Sequence, residues 1–431
     1  MPSLDFVSKD FVHWAALPVA IWNGLDSSVW PPRTTPYDNQ AIYTGSALVL
    51  DGAGPGGKGR GVVNIYPGLC DKHDWPSCET GTLLAQAVPA NYAADELLLN
   101  WTKPAYNPIM ENTQRDPSTP WKTSHGEWRL RTYDSMIYGA ASDADVVAGR
   151  WYTIGKSADL RTCECPSLYP LPAPTPGFEA AYEAARRSDG GLPTHVHKTS
   201  CRGDWWQLGT YREGAPRVEV GGFNATPGWE DLFAQRRIDS GHFYASKDSE
   251  YPVRSSVGGT TAGGGGGAAV MRRINWGWAT VPPQSAQTLP REITFNAAAR
   301  TLEQAPIAEL EALRGAAAFK LAGATLDGAE PLQTHLAPGV AQHSELVVSF
   351  ELPDHPATFG VTLGELGEAT ACEINYTPPK NASAPLYEVG VGCGGVRDTL
   401  RLLGSETVVS LRIFSDATFV EVRGLTWREP E

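Results

Sequence analysis

Two carboxylates in this chain stand in settings suited to acid chemistry. Arg115-Asp116-Pro117-Ser118-Thr119-Pro120-Trp121 places one between a guanidinium and a ring that lacks an N–H, and Thr162-Cys163-Glu164-Cys165-Pro166 places the second near another proline. Proline drives the residue before it out of the helical region, which predicts that Asp116 is held extended, its side chain aimed from a fixed backbone. Arg115 offers a planar fork of donors that fits a hydroxyl or a carboxylate. In a chain with 14 Trp and 15 Tyr, two rigidly presented carboxylates suit cleavage of a glycosidic bond. One acid protonates the leaving oxygen while another carboxylate supports the sugar cation. By spacing alone, two ordinary turns account for the same residues equally well.

The surrounding segments decide between these readings. Arg115-Asp116-Pro117 and Glu164-Cys165-Pro166 resemble the two internal signature motifs of glycoside hydrolase family 32, the invertases, inulinases, levanases, fructan exohydrolases and plant-type fructosyltransferases. Ser8-Lys9-Asp10-Phe11-Val12-His13-Trp14 is similar to the family's Ser-x-Asp-Leu-Val-x-Trp turn, and Ile42-Tyr43-Thr44-Gly45-Ser46-Ala47 to its Phe-Ser/Thr-Gly-Ser-Ala strand. Leu97-Leu98-Leu99-Asn100-Trp101 and Asn107-Pro108-Ile109-Met110 resemble the plant-type branch. Phe243-Tyr244-Ala245-Ser246-Lys247, Arg272-Arg273-Ile274-Asn275-Trp276-Gly277-Trp278 and Leu289-Pro290-Arg291-Glu292-Ile293 match further family blocks, all in the family's order.

The resemblance implies an all-β fold: a five-bladed β-propeller, its first blade incomplete, followed by a β-sandwich. It implies retaining double displacement on a β-fructofuranoside, sucrose or a fructan, or fructosyl transfer by the same chemistry. Glu164 then serves as acid/base and Asp116 as transition-state stabiliser. Arg115, Tyr43, Thr44 and Trp276 fall at positions that bind the sugar, where aromatic faces and hydroxyls suit the two sides of its ring. The family's nucleophile is the aspartate of a Trp-Met-Asn-Asp-Pro-Asn-Gly motif, and no Asn-Asp-Pro occurs in this sequence. Three readings follow: part of a longer fructosidase or fructosyltransferase, a sugar-binding relict without turnover, or an enzyme in which Asp5 or Asp10 replaces the lost group. A second departure touches the acid. Ser167 stands where the family writes an aspartate, and Cys163 where an aromatic or apolar residue is usual. Losing a nearby carboxylate predicts a lower pKa for Glu164, while Asp116 beside Arg115 is expected to stay ionised.

The elements that must position these groups read as short strands. With 45 Gly and 34 Pro in 431 residues, the chain has the turn-rich composition of an all-β protein, and its length allows two cores. Strand patterns recur at residues 41–50, 61–66, 97–101, 127–131, 136–138 and 150–154, and again at 345–351 and 408–422. Residues 178–187 suggest a short helical insertion. The organisation expected is a propeller over 1–290, a linker with a short helix over 291–314 and a sandwich over 315–431. Residues 51–57 read as a turn and 258–267 as a flexible glycine-rich loop.

A net charge of −13 argues against a nucleic acid or an anionic membrane as partner. No apolar run reaches the ~18 residues of a membrane span. No signal segment is visible, yet Asn-x-Ser/Thr sequons at Asn100, Asn224, Asn375 and Asn381 lean towards a secreted or vacuolar protein. Of the seven cysteines, Cys70 with Cys78 and Cys372 with Cys393 are the first pairs to expect. No cofactor or metal motif is complete. His13 beside Trp14 reads as a packing histidine, and His195 and His197 as surface packing rather than metal ligands.

Overall fold

A computed structural model describes residues 6–51, 60–188, 191–226, 237–252, 271–281, 285–328, 331–364, 370–380, 385–416 and 419–425. The glycine-rich loop at 258–267, most of the 51–57 turn, Asp5 and the Asn381 sequon lie outside the described residues.

Antiparallel strands make up nearly all the regular structure. A two-stranded ladder, Phe6–Ser8 with Trp14–Ala16, comes first, followed by the small hairpin Leu25–Asp26 with Arg33–Thr34. Larger sheets then follow in chain order, each a meander. The first holds Ala41–Ile42, Ser46–Asp51, Arg60–Leu69, Thr82–Pro89 and Trp101–Thr102. The second holds Trp121–Lys122, Trp128–Arg131, Met136–Ala140 and Tyr152–Lys156. The third holds Glu164–Pro170, His195–Ser200, Asp204–Arg212 and Gly222–Ala225. Phe243–Pro252, Met271–Ala279, Arg291–Asn296 and Thr301–Pro306 form the fourth, with Ala286–Gln287 also paired to Met271–Ala279, so residues 291–306 carry two sheet strands.

Sheets covered on both faces need nearly continuous apolar strands. Thr82–Pro89 meets this, with Leu83, Leu84, Ala85 and Ala87 all buried. Leu48, Val63, Ile65 and Leu84 of the first sheet share a core with Leu130, Tyr138 and Ala140 of the second. Ile137 of the second sheet packs with Leu168, Tyr211 and Phe223 of the third. The strand expected at 97–101 is confined to Trp101–Thr102. Leu98 turns left-handed with φ 52°, and the Asp95 carboxylate accepts the Asn100 N–H at 3.0 Å, which makes the preceding residues a turn.

The chain divides into two compact units: Met1–Pro172 with Asp189–Ile238 and Tyr244–Glu250, and Ala173–Ser188 with Asp239–Phe243 and Tyr251–Glu431. The second contains the helix Glu179–Arg186, the 3-10 helix Ala308–Leu313 and two further sheets. His343–Glu351, Val408–Asp416 and Phe419–Leu425 form one; Ala357–Leu363, Thr370–Tyr376, Leu386–Cys393 and Val396–Leu403 form the other. Ile374, Val389 and Leu402 of the latter meet Val409, Leu411 and Ile413 of the former in one core, as in a sandwich. Cys372 is bonded to Cys393, its register partner on the next strand, and Cys70 to Cys78. Among the described residues, no helix is long and apolar enough to cross a membrane.

Candidate active site

The two carboxylates, far apart in sequence, meet in the first unit. Asp116 is buried and its Oδ2 accepts the backbone N–H of Cys165 at 3.2 Å, across 49 positions of chain. The expected extended backbone at Asp116 is not what the structure has: φ is 58°, in the left-handed region. Aspartate is among the few residues that tolerate this region, and the turn carries the carboxylate across to the next sheet. Both ends of the segment are pinned. Tyr133 N–H donates to the Arg115 carbonyl at 2.9 Å and Ser118 N–H to that of Arg131 at 2.8 Å. The Pro117 carbonyl accepts from Ser46 Oγ at 2.8 Å and from Lys247 Nζ at 3.0 Å.

Glu164 opens the strand Glu164–Pro170, where the register against His195–Ser200 shifts between Glu164 and Ser167. Such a bulge bends a strand and re-aims its side chains. The disulfide Cys163–Cys201 closes the base of this corner, a pairing that the sequence left open. Glu164 Oε2 accepts from the Tyr244 hydroxyl at 2.5 Å, and Oε1 accepts from Arg115 Nη2. Arg115 lies over the Tyr133 ring, 4.8 Å from its centroid, with Nε 4.0 Å from Asp116 Oδ2.

This pairing adds to the expected charge pattern. Arg115 hydrogen-bonds Glu164 while its charge also lies beside Asp116. Burial pushes the Glu164 carboxyl up, but the Tyr244 and Arg115 hydrogen bonds and the Arg115 charge outweigh it, and the group ends below the usual glutamate range. The lowering expected from Ser167 is present, although Arg115 and Tyr244 account for it. Burial pushes Asp116 above the ordinary aspartate range, against the Cys165 N–H and the charges of Lys247 and Arg115. The Tyr244 phenol is raised by burial and by the Glu164 hydrogen bond and charge, so it stays a donor.

Tyr43 and Thr44 are exposed in the stretch just before Ser46, which touches the Asp116-Pro117 turn. Trp276 lies half-buried in the second unit, on Met271–Ala279, and its side chain hydrogen-bonds Tyr251. Asp10 engages its own turn: Oδ1 accepts from Val12 N–H at 2.9 Å and His13 N–H at 2.8 Å, and Oδ2 pairs with His13 Nδ1 at 2.9 Å. His13 is therefore an exposed partner of Asp10 and not a packing residue. His197 is not on the surface either. It is fully buried, with Nε2 2.6 Å from Arg131 Nη1, and burial with the Arg131 charge holds it well below the usual histidine range. His195 is half-buried against Tyr211, and burial lowers it to about 4. Asp71, His73 and Asp74 bring ligand-type atoms within 4.8 Å of one another on the Cys70–Cys78 loop, where Gln40 and Asn39 already donate to the two aspartates.

The model of the "Glycosyl hydrolases family 32 N-terminal domain" matches residues 4–306. The chain belongs to glycosyl hydrolase family 32. Relatives include beta-fructofuranosidase, insoluble isoenzyme 7, of Oryza sativa subsp. indica, 29% identical over 72% of this chain and 48% of the relative. Fructan 6-exohydrolase of Triticum aestivum is 28% identical over 80% of this chain and 56% of its own length. The family 32 chain thus spans about half the length of the curated relatives it matches. Among solved structures, fructan 1-exohydrolase IIa from Cichorium intybus matches with a TM-score of 0.66 at 21% identity, over 98% of this chain and 81% of that one. A fructosyltransferase from A. japonicus matches at TM-score 0.59 and 13% identity, over 98% and 82%. The fold is that of family 32: a β-propeller followed by a β-sandwich.

Sequence reading missed the groups behind this family 32 site. Tyr244 and Lys247 stand in a family-like segment that by itself gives them no role. Lys198 and Asp204 lie outside the family-like segments, and only their burial marks them.

Proposed function

We propose that this chain acts on β-fructofuranosides, sucrose or a fructan, by retaining hydrolysis or by fructosyl transfer. The observation that carries this reading is the junction of the two signature motifs: Asp116 on the Cys165 N–H, and Arg115 on Glu164. Retention needs an attacking carboxylate, which in the family is the Asn-Asp-Pro aspartate. Where that group is supplied, it bonds to the anomeric carbon as Glu164 protonates the leaving oxygen. Glu164 then takes a proton from the water or acceptor sugar that displaces it, and Asp116 steadies the cationic transition states. Sugar hydroxyls that draw the donors of Arg115 and Tyr244 away from Glu164 favour its protonated form. Arg115, Tyr43 and Thr44 contact the sugar. Glu164→Gln is expected to abolish release of fructose from sucrose, inulin and levan; unchanged release would refute the assignment.

A second reading, sugar binding without turnover, is favoured by one observation: no Asn-Asp-Pro supplies an attacking aspartate in these 431 residues. Asp10 offers little in its place, because its carboxylate already caps its own turn. Calorimetric sucrose binding without fructose release would favour this second reading. Three disulfides and exposed sequons at Asn100, Asn224 and Asn375 support a secreted or vacuolar location.

A further inference from the structure

Glu164 and its donor Tyr244 both hang on backbone in an unfavourable conformation. Cys165, next to Glu164, has φ 45°, and Ala245, next to Tyr244, has φ 51°. Neither is glycine. A side-chain-bearing residue in a sparsely populated region costs of order 1–3 kcal/mol and persists only where its surroundings hold it.

One buried ion pair holds both turns. Lys198 Nζ donates to the Cys165 carbonyl at 3.3 Å and to the Ser246 carbonyl, and lies 3.2 Å from Asp204 Oδ2. Asp204 in turn accepts the Ala245 N–H at 3.0 Å and the Ser246 N–H at 2.7 Å. The two side chains are 1% and 0% exposed. Asp116 takes the N–H of Cys165, so that residue is gripped on both sides.

We propose that the Lys198–Asp204 pair is the positioning device of the site: by fixing the left-handed turns at Cys165 and Ala245 it brings the Glu164 carboxylate to the Tyr244 hydroxyl. Lys198 acts through Cys165 and Ser246. The functional consequence rests on Glu164 being the acid/base; the positioning itself does not.

The test uses a reporter already in place, since Cys165 is a buried free thiol beside Glu164 and the other six cysteines are paired. Lys198→Met alone strands a buried carboxylate, which is strongly destabilising, so the full chain carrying both Lys198→Met and Asp204→Asn is the better variant. It is expected to keep its near-ultraviolet circular dichroism and to label Cys165 with a disulfide-exchange reagent at least tenfold faster. The Glu164 carboxyl, followed by NMR with labelled glutamate, is expected to titrate at higher pH. If the double variant does not fold, Lys198→Gln with Asp204→Asn, which leaves no buried charge and keeps a polar group at each position, is expected to move both readings the same way by a smaller factor. Ile413→Ala, in the sandwich core, controls for general loss of stability and is expected to move neither. Unchanged labelling and titration in the pair variants, or equal changes in Ile413→Ala, would overturn the proposal. Fructose release retained by Glu164→Gln would sink the catalytic reading while leaving the labelling result to stand or fall by itself.

Discussion

Tyr244→Phe tests the charge state of Glu164 with the smallest change available. It removes the hydroxyl that donates to Glu164 Oε2 at 2.5 Å and keeps the ring. A hydrogen bond to a charged group contributes about 1.5–3 kcal/mol. The Glu164 side chain is 30% exposed, so water recovers part of the loss and about 1 kcal/mol remains. At about 1.4 kcal/mol per factor of ten, Glu164 should gain about fivefold in proton affinity. The sign follows from which form the bond favours. Tyr244 stabilises the carboxylate, which keeps Glu164 ionised to lower pH than a free glutamate. Without it, proton uptake moves to higher pH. Arg115 still donates, so the return towards the ordinary range is partial. Carboxyl-labelled glutamate NMR reads the midpoint, with Glu164→Gln assigning the resonance. A midpoint that stays in place or moves down in folded Tyr244→Phe would refute the reasoning.

Two stability predictions concern other elements of the fold. In the second unit Asp239 lies 2.9 Å from Arg423 and 3.0 Å from Arg291; burial pushes its carboxyl up, but those two charges win and bring it to about 2. A depressed carboxyl contributes stability that is fully present above the unfolded pKa near 4 and is lost as pH falls towards about 2. That contribution is on the order of 2–3 kcal/mol. Asp239→Asn should therefore be less stable than wild type at pH 6 by denaturant unfolding, with the gap closing between about pH 4 and pH 2; a gap independent of pH sinks the idea. At Gly45 an added Cβ would meet the Ile65 carbonyl oxygen at 2.2 Å. Backbone cannot swing aside as a side chain can, so Gly45→Ala should cost ~1–3 kcal/mol and lower the thermal midpoint, and an unchanged midpoint counts against this close approach.

The fold was legible because its signals are local. Alternating or continuous apolar runs such as those around Leu83 and Ile413 announce strands, and short turns between them order the sheets. The signature motifs named Asp116 and Glu164 for the same reason. Their junction was not legible, since it depends on left-handed turns at Asp116 and Cys165, both immediately before proline, where the general rule predicts extended backbone. The pair that stabilises those turns is equally hidden. Lys198 and Asp204 are ordinary charged residues in sequence, and only burial on two strands of one sheet makes them a structural unit. His197 misled for a related reason, because a histidine on an alternating strand gives no sign of which face the neighbouring sheet will cover.

Adjacency in sequence showed only one of the two carboxylates beside Arg115, and the second bears on mechanism. Once Asp116 turns left-handed, its carboxylate points at the Cys165 N–H, and the guanidinium next to it is free to extend to Glu164. The resting site then shifts Glu164 towards its ionised form and Asp116 towards its protonated form, each the opposite of what its proposed role requires. Under the proposed function, the two donors responsible for that reversal are the ones a sugar hydroxyl can recruit. A planar guanidinium and a phenol both donate to hydroxyl oxygens, and each bond transferred to the sugar removes a contribution that favours the Glu164 carboxylate. Glu164 is thus best able to carry a proton when sugar is bound, and that dependence is built from the same two contacts that hold the carboxylate in place when it is not.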